Sequence, residues 1–410
     1  MEETRPHIAI VGAGHAGGSA AALLRQYGWT GAVTLLGEEP LAPYQRPPLS
    51  KAWLKGEADG DSLLLRPTRF YAGRDITLRL SETVVAIERA NHAVRLKDGE
   101  RIGYDRLILA TGSRPRHLAL PGVGLAGVLE LRNAADADRL KAALQPGRCI
   151  AVIGGGYIGL EVAASARALG VEATVLERED RILARVACPA LSDFFQSYHS
   201  ARGVAFELGC RIEALEGAQG VVTGVRLSDG RLLPCDTVLI GVGAAANDEL
   251  ARDAGLACRA GICVDAEART DDPAIFAIGD CTERPLPLYD RHGRLESVPN
   301  ALEQAKQAAA AICGRPAPAP EVPWFWSDQY DLRLQIAGLP LGAAQTVLRG
   351  DPASARFAVF HLADDSRLLA VEAVNAAAEF MAGKAMIARR QVLDPVRIRD
   401  PAVSVKDLPA

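Results

Sequence analysis

The sequence predicts an α/β protein: two doubly wound α/β units followed by a smaller α+β region. Three observations predict it. The stretch IAIVGAGHAGGSAAALLRQYG (8–28) aligns with IAVIGGGYIGLEVAASARALG (150–170) at a constant offset of 142 residues. Each copy is followed by a second apolar run, AVTLLGEE (32–39) and EATVLERE (172–179). Beyond a stiff RPAPAP linker (315–320), VPWFWSDQYDLRLQIAGL opens a third region of mixed strand and helix pattern. The chain has 410 residues, more than one hydrophobic core ordinarily serves.

Each copy begins as a β-like apolar run, turns through G-x-G-x-x-G and enters an Ala/Leu helix pattern. That context, twice in register, turns a weak glycine pattern into a strong sign of two Rossmann-like dinucleotide sites. In the first, Gly12 permits the tight turn, Gly14 lets the backbone approach a pyrophosphate, and Gly17 lets the helix close on the sheet. The helix N-terminus brings free N–H groups and partial positive charge to the phosphates. Gly154, Gly156 and Gly159 hold the same offsets in the second. Glu177 ends the second unit's second strand; a carboxylate there accepts from a ribose 2′-OH and repels a 2′-phosphate. NADH is therefore expected over NADPH, with the adjacent Arg178 softening the preference. The register-equivalent residue of the first unit is Gly37, and the acid, Glu38, sits one place on.

The remaining segments read in order. PYQRPPLSK (43–51) is expected to hold an extended, proline-stiffened backbone that ends in Lys51. YDRLILATGSRP (104–115) reads as a buried strand ending in a small-residue turn, and GRLLPCDTVLIGVG (230–243) as a strand after a hairpin-like SDG. TDDPAIFAIGDC (270–281) reads as a strand ending in Gly-Asp. Asp280 alone equally reads as a helix cap; together with the first glycine turn it points to the ribityl hydroxyls of a flavin. SVPNALEQAKQAAAAICG (297–314) reads as a helix capped by Asn300, with Glu303 three residues on.

Composition excludes several classes. Hydrophobic residues make up 49% and charged residues 23%, as in a globular enzyme, and the net charge of −4 offers no bulk attraction to nucleic acid or an anionic membrane. No apolar run reaches the ~18 residues of a spanning helix. The N-terminus shows no signal-peptide pattern, so a cytoplasmic protein is expected. None of the eight cysteines forms C-x-x-C, and no Cys/His group has zinc spacing. A redox disulfide takes electrons in pairs, so its absence from the pattern favours a one-electron acceptor.

GAGHAG, PYQRPPLSK, LILATGSRP, GGGYIGLEVA, FAIGDC, ESVPNALEQA and PWFWSDQY together resemble the FAD-dependent ferredoxin reductases of the putidaredoxin reductase type, from residue 7 to about 380. RPPLSK and FWSDQY set the resemblance apart from the wider pyridine-nucleotide–disulfide reductase fold. The resemblance implies an FAD domain of residues 1–115 and 245–322, an NADH domain of residues 116–244, and a C-terminal α+β domain of residues 323–410 that covers the flavin. It implies Lys51 beside flavin N5 and O4, paired with Glu161 from the first turn of the second unit's helix, with Glu161 near the nicotinamide amide. It implies FAD contacts at Ala16, Val84, Arg132 and the backbone of Val298, at the start of a helix whose dipole favours the anionic reduced flavin. Tyr157 is implied to lie beside the flavin and to move as nicotinamide enters. Trp326, rather than Trp324, is implied between flavin and partner. The sequence departs from the family at Ala246, where a proline is usual.

The function so implied is hydride transfer from NADH to bound FAD, then single electrons to a two-iron two-sulfur ferredoxin that serves a haem monooxygenase or ring-hydroxylating dioxygenase. Such ferredoxins are usually acidic, which makes Arg315, Lys384, Arg389 and Arg390 candidates for a docking patch. A monomer or weak dimer is expected, with no nucleic-acid or membrane partner. The alternatives are a rubredoxin reductase or another NADH-dependent flavin reductase without a redox disulfide, and, further off, a redox-sensing interaction protein like apoptosis-inducing factor.

Overall fold

The computed structural model describes residues 5–409. Each copy of the repeat forms a strand, a glycine turn and a helix: His7–Val11 and His15–Gln26 in the first, Cys149–Ile153 and Tyr157–Ala168 in the second. Each leading strand lies at the centre of a five-stranded sheet. The first sheet runs 275–277, 106–109, 7–11, 32–37, 76–80; the second runs 128–130, 237–240, 149–153, 172–176, 204–207. Every pairing in both is parallel. The strand order reverses beside the leading strand, and the crevice outside its C-terminal end is where such sheets take ligands.

Both faces of each sheet are covered, which explains the nearly unbroken apolar runs. Ile8 and Ile10 pack with helix His15–Gln26 and with Ala301, Ala305 and Ala308 of helix Val298–Ile312. Ala9 and Val11 point the other way, onto a small antiparallel sheet through Val84, Ile87 and Val94. In the second unit Ile150 and Val152 face the helices, and Ala151 and Ile153 face the antiparallel strands Ile212–Ala218 and Val221–Leu227.

The third region is an antiparallel sheet in the order 324–329, 332–338, 368–374, 356–362, 345–351. Its side chains alternate between two cores. Leu332, Leu334, Phe357 and Val359 share a core with Leu160, Leu191 and Phe195 of the second unit. Ala358, Phe360 and Val371 pack instead with Phe380 and Ile387 of helix Ala377–Ala388. One of the third region's two cores is thus shared with the second unit.

The chain crosses between the first two units along a two-stranded ribbon, Ser113–Pro115 against Ala244–Ala246. Arg114 ties it down through the Ala246 carbonyl, Asn247 Oδ1 and Glu249. Ala246, at the departure from the family pattern, pairs with Ser113, so the ribbon forms without a proline there.

Four local expectations need correction. The 230–243 segment is two strands: Leu232–Pro234 joins the antiparallel sheet and Thr237–Ile240 the parallel one. Pro234 has no N–H to continue a ladder, and Asp236 turns its carboxylate to the Cys149 N–H. The 43–51 segment is not extended, because Pro47–Ser50 closes a 3-10 turn. Helix Val298–Ile312 is capped by Ser297, which accepts from Asn300 N, because Pro299 fits the first turn. Asn300 is instead a buried helical residue, and Glu303 is committed to Arg284 at 2.8 Å. Finally, Glu161 is the fifth residue of its helix, in the second turn rather than the first, and is only 5% exposed.

Candidate active site

The two glycine turns share one backbone design. Gly12 has φ +112°, and a Cβ there would stand 2.2 Å from the Ala110 carbonyl oxygen. A Cβ on Gly17 would stand 2.0 Å from the Gly12 oxygen. Gly14, between them, would meet nothing within 4 Å. In the second turn Gly154 has φ +110° and a Cβ contact of 2.4 Å with the Gly241 oxygen, and Gly159 one of 2.2 Å with the Gly154 oxygen. Gly156 again faces open space. Gly14 and Gly156 each precede a helix and carry no side-chain cap, which leaves first-turn N–H groups for a ligand. At the first helix start, His15 Nδ1 is buried without a hydrogen-bond partner. Both turns line one cleft of about 2660 Å³, well beyond the ~300–1,000 Å³ of an ordinary small-molecule pocket. A dinucleotide pyrophosphate fits each turn: open space over the middle glycine, and unpaired donors behind it.

Around the first turn the cleft gathers the residues expected to meet FAD. Asp280 sits in the 3-10 turn Gly279–Cys281; its Oδ2 accepts from Ser113 Oγ at 3.1 Å and lies 3.4 Å from Arg132 Nη2. Ala16 packs against this turn, its Cβ 3.1 Å from where a Cβ on Gly279 would be. Burial and the nearby Arg46 guanidinium hold the Arg132 pKa below its ordinary value, a cation that a bound anion would relieve. Val84 and Val298 line the same cleft, Val298 as the first residue of its helix. Glu38 is exposed at the rim. Its neighbour Glu39, missed in the sequence, accepts from Arg46 at 2.6 Å and from Tyr44. Arg46 also donates to the Arg132 carbonyl, and the Ala134 N–H donates to Tyr44. The signal was the YQR inside the proline-rich segment, which the stiff-turn reading passed over.

Lys51 Nζ lies 2.8 Å from Glu161 Oε2, joining the first unit to the second inside the cleft. The 3-10 turn aims it: Lys51 N bonds the Pro48 carbonyl, and Lys51 Nζ also donates to the Pro47 carbonyl at 3.1 Å. The carboxylate has two further donors that sequence reasoning missed, Ser50 Oγ on Oε2 and Ser327 Oγ on Oε1.

On the second turn, Glu177 Oε2 accepts from Gly155 N at 2.8 Å and Oε1 from Glu179 N at 2.9 Å. The carboxylate is thereby fixed at the strand end. Tyr157 opens the helix; its hydroxyl donates to the Val186 carbonyl, and its ring lies 4.6 Å from Phe325 of the third region. Burial pushes its phenol pKa up. Phe325 was not singled out in the sequence. Trp326 and Trp324 both line the cleft, their rings 5.6 Å apart, and Lys384 Nζ lies over the Trp324 ring, 5.2 Å from its centre.

Of the four basic candidates, Lys384, Arg389 and Arg390 lie at the C-terminal end of helix Ala377–Ala388, and Arg315 follows helix Val298–Ile312. Lys384 lies 3.9 Å from Glu321, which also binds Lys306. Arg390 donates to the Pro287 carbonyl, and Arg389 is exposed beside it. Arg315 packs on Tyr27 of the first unit, and among the described residues no hydrogen bond joins it to the others. A last buried group was illegible in the sequence because its members lie far apart. Glu372, fully buried, takes the Cys188 N–H on both oxygens at 3.2 Å and lies 3.4 Å from His361 Nε2. Burial and that carboxylate push the Cys188 thiol up to about 12, so it is no nucleophile at neutral pH.

Two dinucleotide cradles on one cleft, bridged by a lysine–carboxylate pair, define a flavoprotein oxidoreductase of the two-nucleotide class. The pyridine nucleotide-disulphide oxidoreductase model matches residues 6–305, and a reductase C-terminal model matches residues 324–409. A probable ferredoxin reductase of Castellaniella defragrans is 56% identical over 402 residues, 98% of each chain. Putidaredoxin reductase of Pseudomonas putida is 42% identical, over 98% of this chain and 96% of its own. The crystal structure of a covalent putidaredoxin reductase–putidaredoxin complex matches with a TM-score of 0.96 at 41% identity, over 98% of each chain. The chain belongs to the pyridine nucleotide-disulphide oxidoreductase family, as a reductase of the putidaredoxin reductase type that uses FAD and NAD(P)H. Among the described residues no helix is long and apolar enough to cross a membrane.

Proposed function

We propose that this reductase takes hydride from NADH and passes single electrons to a two-iron two-sulfur ferredoxin that serves a haem monooxygenase or ring-hydroxylating dioxygenase. The observation that carries the reading is the Lys51–Glu161 pair, 2.8 Å apart, where the two glycine cradles open on one cleft. Bound FAD supplies the chemistry, accepting a hydride as an electron pair and releasing electrons one at a time. In this reading Gly12, Gly14 and Gly17 hold the FAD pyrophosphate on the helix N-terminus, with Ala16 and Val84 as walls and Glu38 toward the ribose. Asp280 would accept from the ribityl hydroxyls, Arg132, 3.4 Å from it, would contact the FAD, and the Val298 backbone would meet the pyrimidine edge.

Lys51 holds a positive charge at the reacting end of the cleft, and Glu161 offsets the cost of burying it. Gly154, Gly156 and Gly159 receive the NADH pyrophosphate. Tyr157, packed on Phe325, closes the nicotinamide end against water until the ring is displaced. Glu177 stands ready to accept from a ribose 2′-OH, and a 2′-phosphate meets its charge; this is the basis for NADH over NADPH. The FAD domain is assigned residues 1–115 and 245–322, the NADH domain 116–244 and the C-terminal domain 323–410, with the 113–115/244–246 ribbon between the first two.

The ferredoxin reading is supported by the relatives named as ferredoxin and putidaredoxin reductases and by the sequence, which has no C-x-x-C. Trp326 is assigned to the partner side, with Arg315, Lys384, Arg389 and Arg390 as candidate docking charges of a monomer or weak dimer. The test is steady-state turnover with NADH and, in turn, a two-iron two-sulfur ferredoxin, a rubredoxin and oxygen. Ferredoxin is expected to give the highest kcat/KM; rubredoxin at or above ferredoxin overturns the assignment.

A further inference from the structure

All three regions of the chain reach Glu161. Ser50 and Lys51 of the first unit share its Oε2, at 2.5 and 2.8 Å, while Ser327 of the third region donates to Oε1 at 2.6 Å. Ser327 is fully buried and is itself held: Gln329 Nε2 donates to its Oγ at 3.1 Å, and Gln329 Oε1 lies 2.8 Å from His199 Nε2. The donors run in one direction. An amide oxygen only accepts, so the His199 proton is on Nε2; the amide nitrogen only donates, so it fills the Ser327 oxygen. The single hydroxyl proton of Ser327 is then left for Glu161. His199 Nδ1, buried without a partner, agrees with a neutral ring protonated on the other nitrogen.

We propose that Ser327 is a positioning residue for the Lys51–Glu161 pair, with Gln329 and His199 fixing the direction of its hydrogen bond. The inference rests on the proposed role of Lys51 toward the flavin. Ser327 is the donor that pins Oε1; with Oε1 pinned, Oε2 faces Lys51 and Ser50. Without it a buried carboxylate oxygen loses its donor, the carboxylate turns to recover one, and Lys51 moves with it. The third region therefore completes the charged pair as well as covering the cleft.

The test uses the holoenzyme as wild type, Ser327→Ala, Ser327→Thr and Ser327→Cys, with Lys51→Ala as reference. Two quantities are read: the limiting rate and NADH Kd of anaerobic flavin reduction, and the two-electron midpoint potential of the flavin. Ser327→Ala is expected to slow the limiting rate about tenfold with the NADH Kd within about twofold, the loss of one hydrogen bond to a charged group. The flavin equilibrium moves about tenfold toward the oxidised form, a potential about 30 mV lower. Ser327→Thr restores both. Ser327→Cys, of similar volume but a weaker donor, falls between, and gives the reading if Ser327→Ala binds flavin poorly. A potential equal to wild type in Ser327→Ala and Ser327→Cys, whatever the rate, overturns the inference, since a merely structural serine leaves it unmoved. If instead Lys51→Ala itself reduces at the wild-type rate, the proposed role of Lys51 fails, separately from that of Ser327.

Discussion

The two cradles share one backbone design and differ where the second strand ends. In the first, Gly37 packs on Ala13, a Cβ on the glycine standing 2.5 Å from the alanine methyl. In the second the same two positions are Glu177 and Gly155, and the glutamate carboxylate takes the Gly155 N–H at 2.8 Å. Small on small makes a closed, apolar strand end; charge on glycine makes a recognition edge. The first cradle is further enclosed by helix Val298–Ile312, Asp280 and Arg132, whereas the second opens beside Tyr157 and exposed Ile158. In the proposed reading the first cradle keeps its cofactor and the second exchanges its nucleotide.

Changing the middle glycines gives the sharpest break in this comparison. Both positions have room for a side chain, so Gly14→Val and Gly156→Val are expected to fold. Gly14→Val should purify without flavin colour. Gly156→Val should stay yellow and raise the KM for NADH by about 100-fold or more, because a side chain then stands where phosphate must approach. Equal loss of flavin in both variants breaks the comparison.

A second contrast is acid stability, which belongs to the seam of the second unit with the third region. Burial pushes the His199 pKa down to about 4 from the 6.5 of an exposed ring. Between those values the unfolded chain binds the extra proton, so stability is full above pH 6.5 and falls as the pH drops toward 4. The fall is about 3 kcal/mol, and is expected to vanish in His199→Gln. Unfolding followed against pH checks the sign and the size.

Lys51→Ala belongs to the bridge between the cradles. It should slow flavin reduction by NADH about 100-fold while FAD stays bound, the scale of losing one preorganised charge at a reacting centre. Stopped-flow reduction measures it. The smallest effect is on nucleotide choice: Glu177→Ala should shift the NADH/NADPH ratio of kcat/KM about tenfold toward NADPH, about 1.4 kcal/mol. An unchanged ratio means that the strand-end carboxylate does not read the ribose.

The repeats, strands and glycine turns were legible because they rest on local pattern: apolar period, turn chemistry and fixed spacing. The Lys51–Glu161 approach came from resemblance, since 110 positions of chain separate the two and no periodicity links them. Ser327, Phe325, Glu39 and the Cys188–His361–Glu372 group were not legible. Ser327 is one small polar residue on an alternating strand, and its meaning appears only when three regions converge on Glu161. The misread helix cap shows the same limit at shorter range: Asn300 has the residue type of a cap, but Arg284, 16 positions earlier, claims its side chain at 2.9 Å.

The most direct test of two cradles serving one reaction is an anaerobic titration of the purified chain. One FAD per chain, bleached by one equivalent of NADH and recoloured by two equivalents of oxidised two-iron two-sulfur ferredoxin, is the result expected here. Protein that is colourless and cannot be reconstituted with FAD, or yellow protein that NADH leaves unbleached, contradicts it.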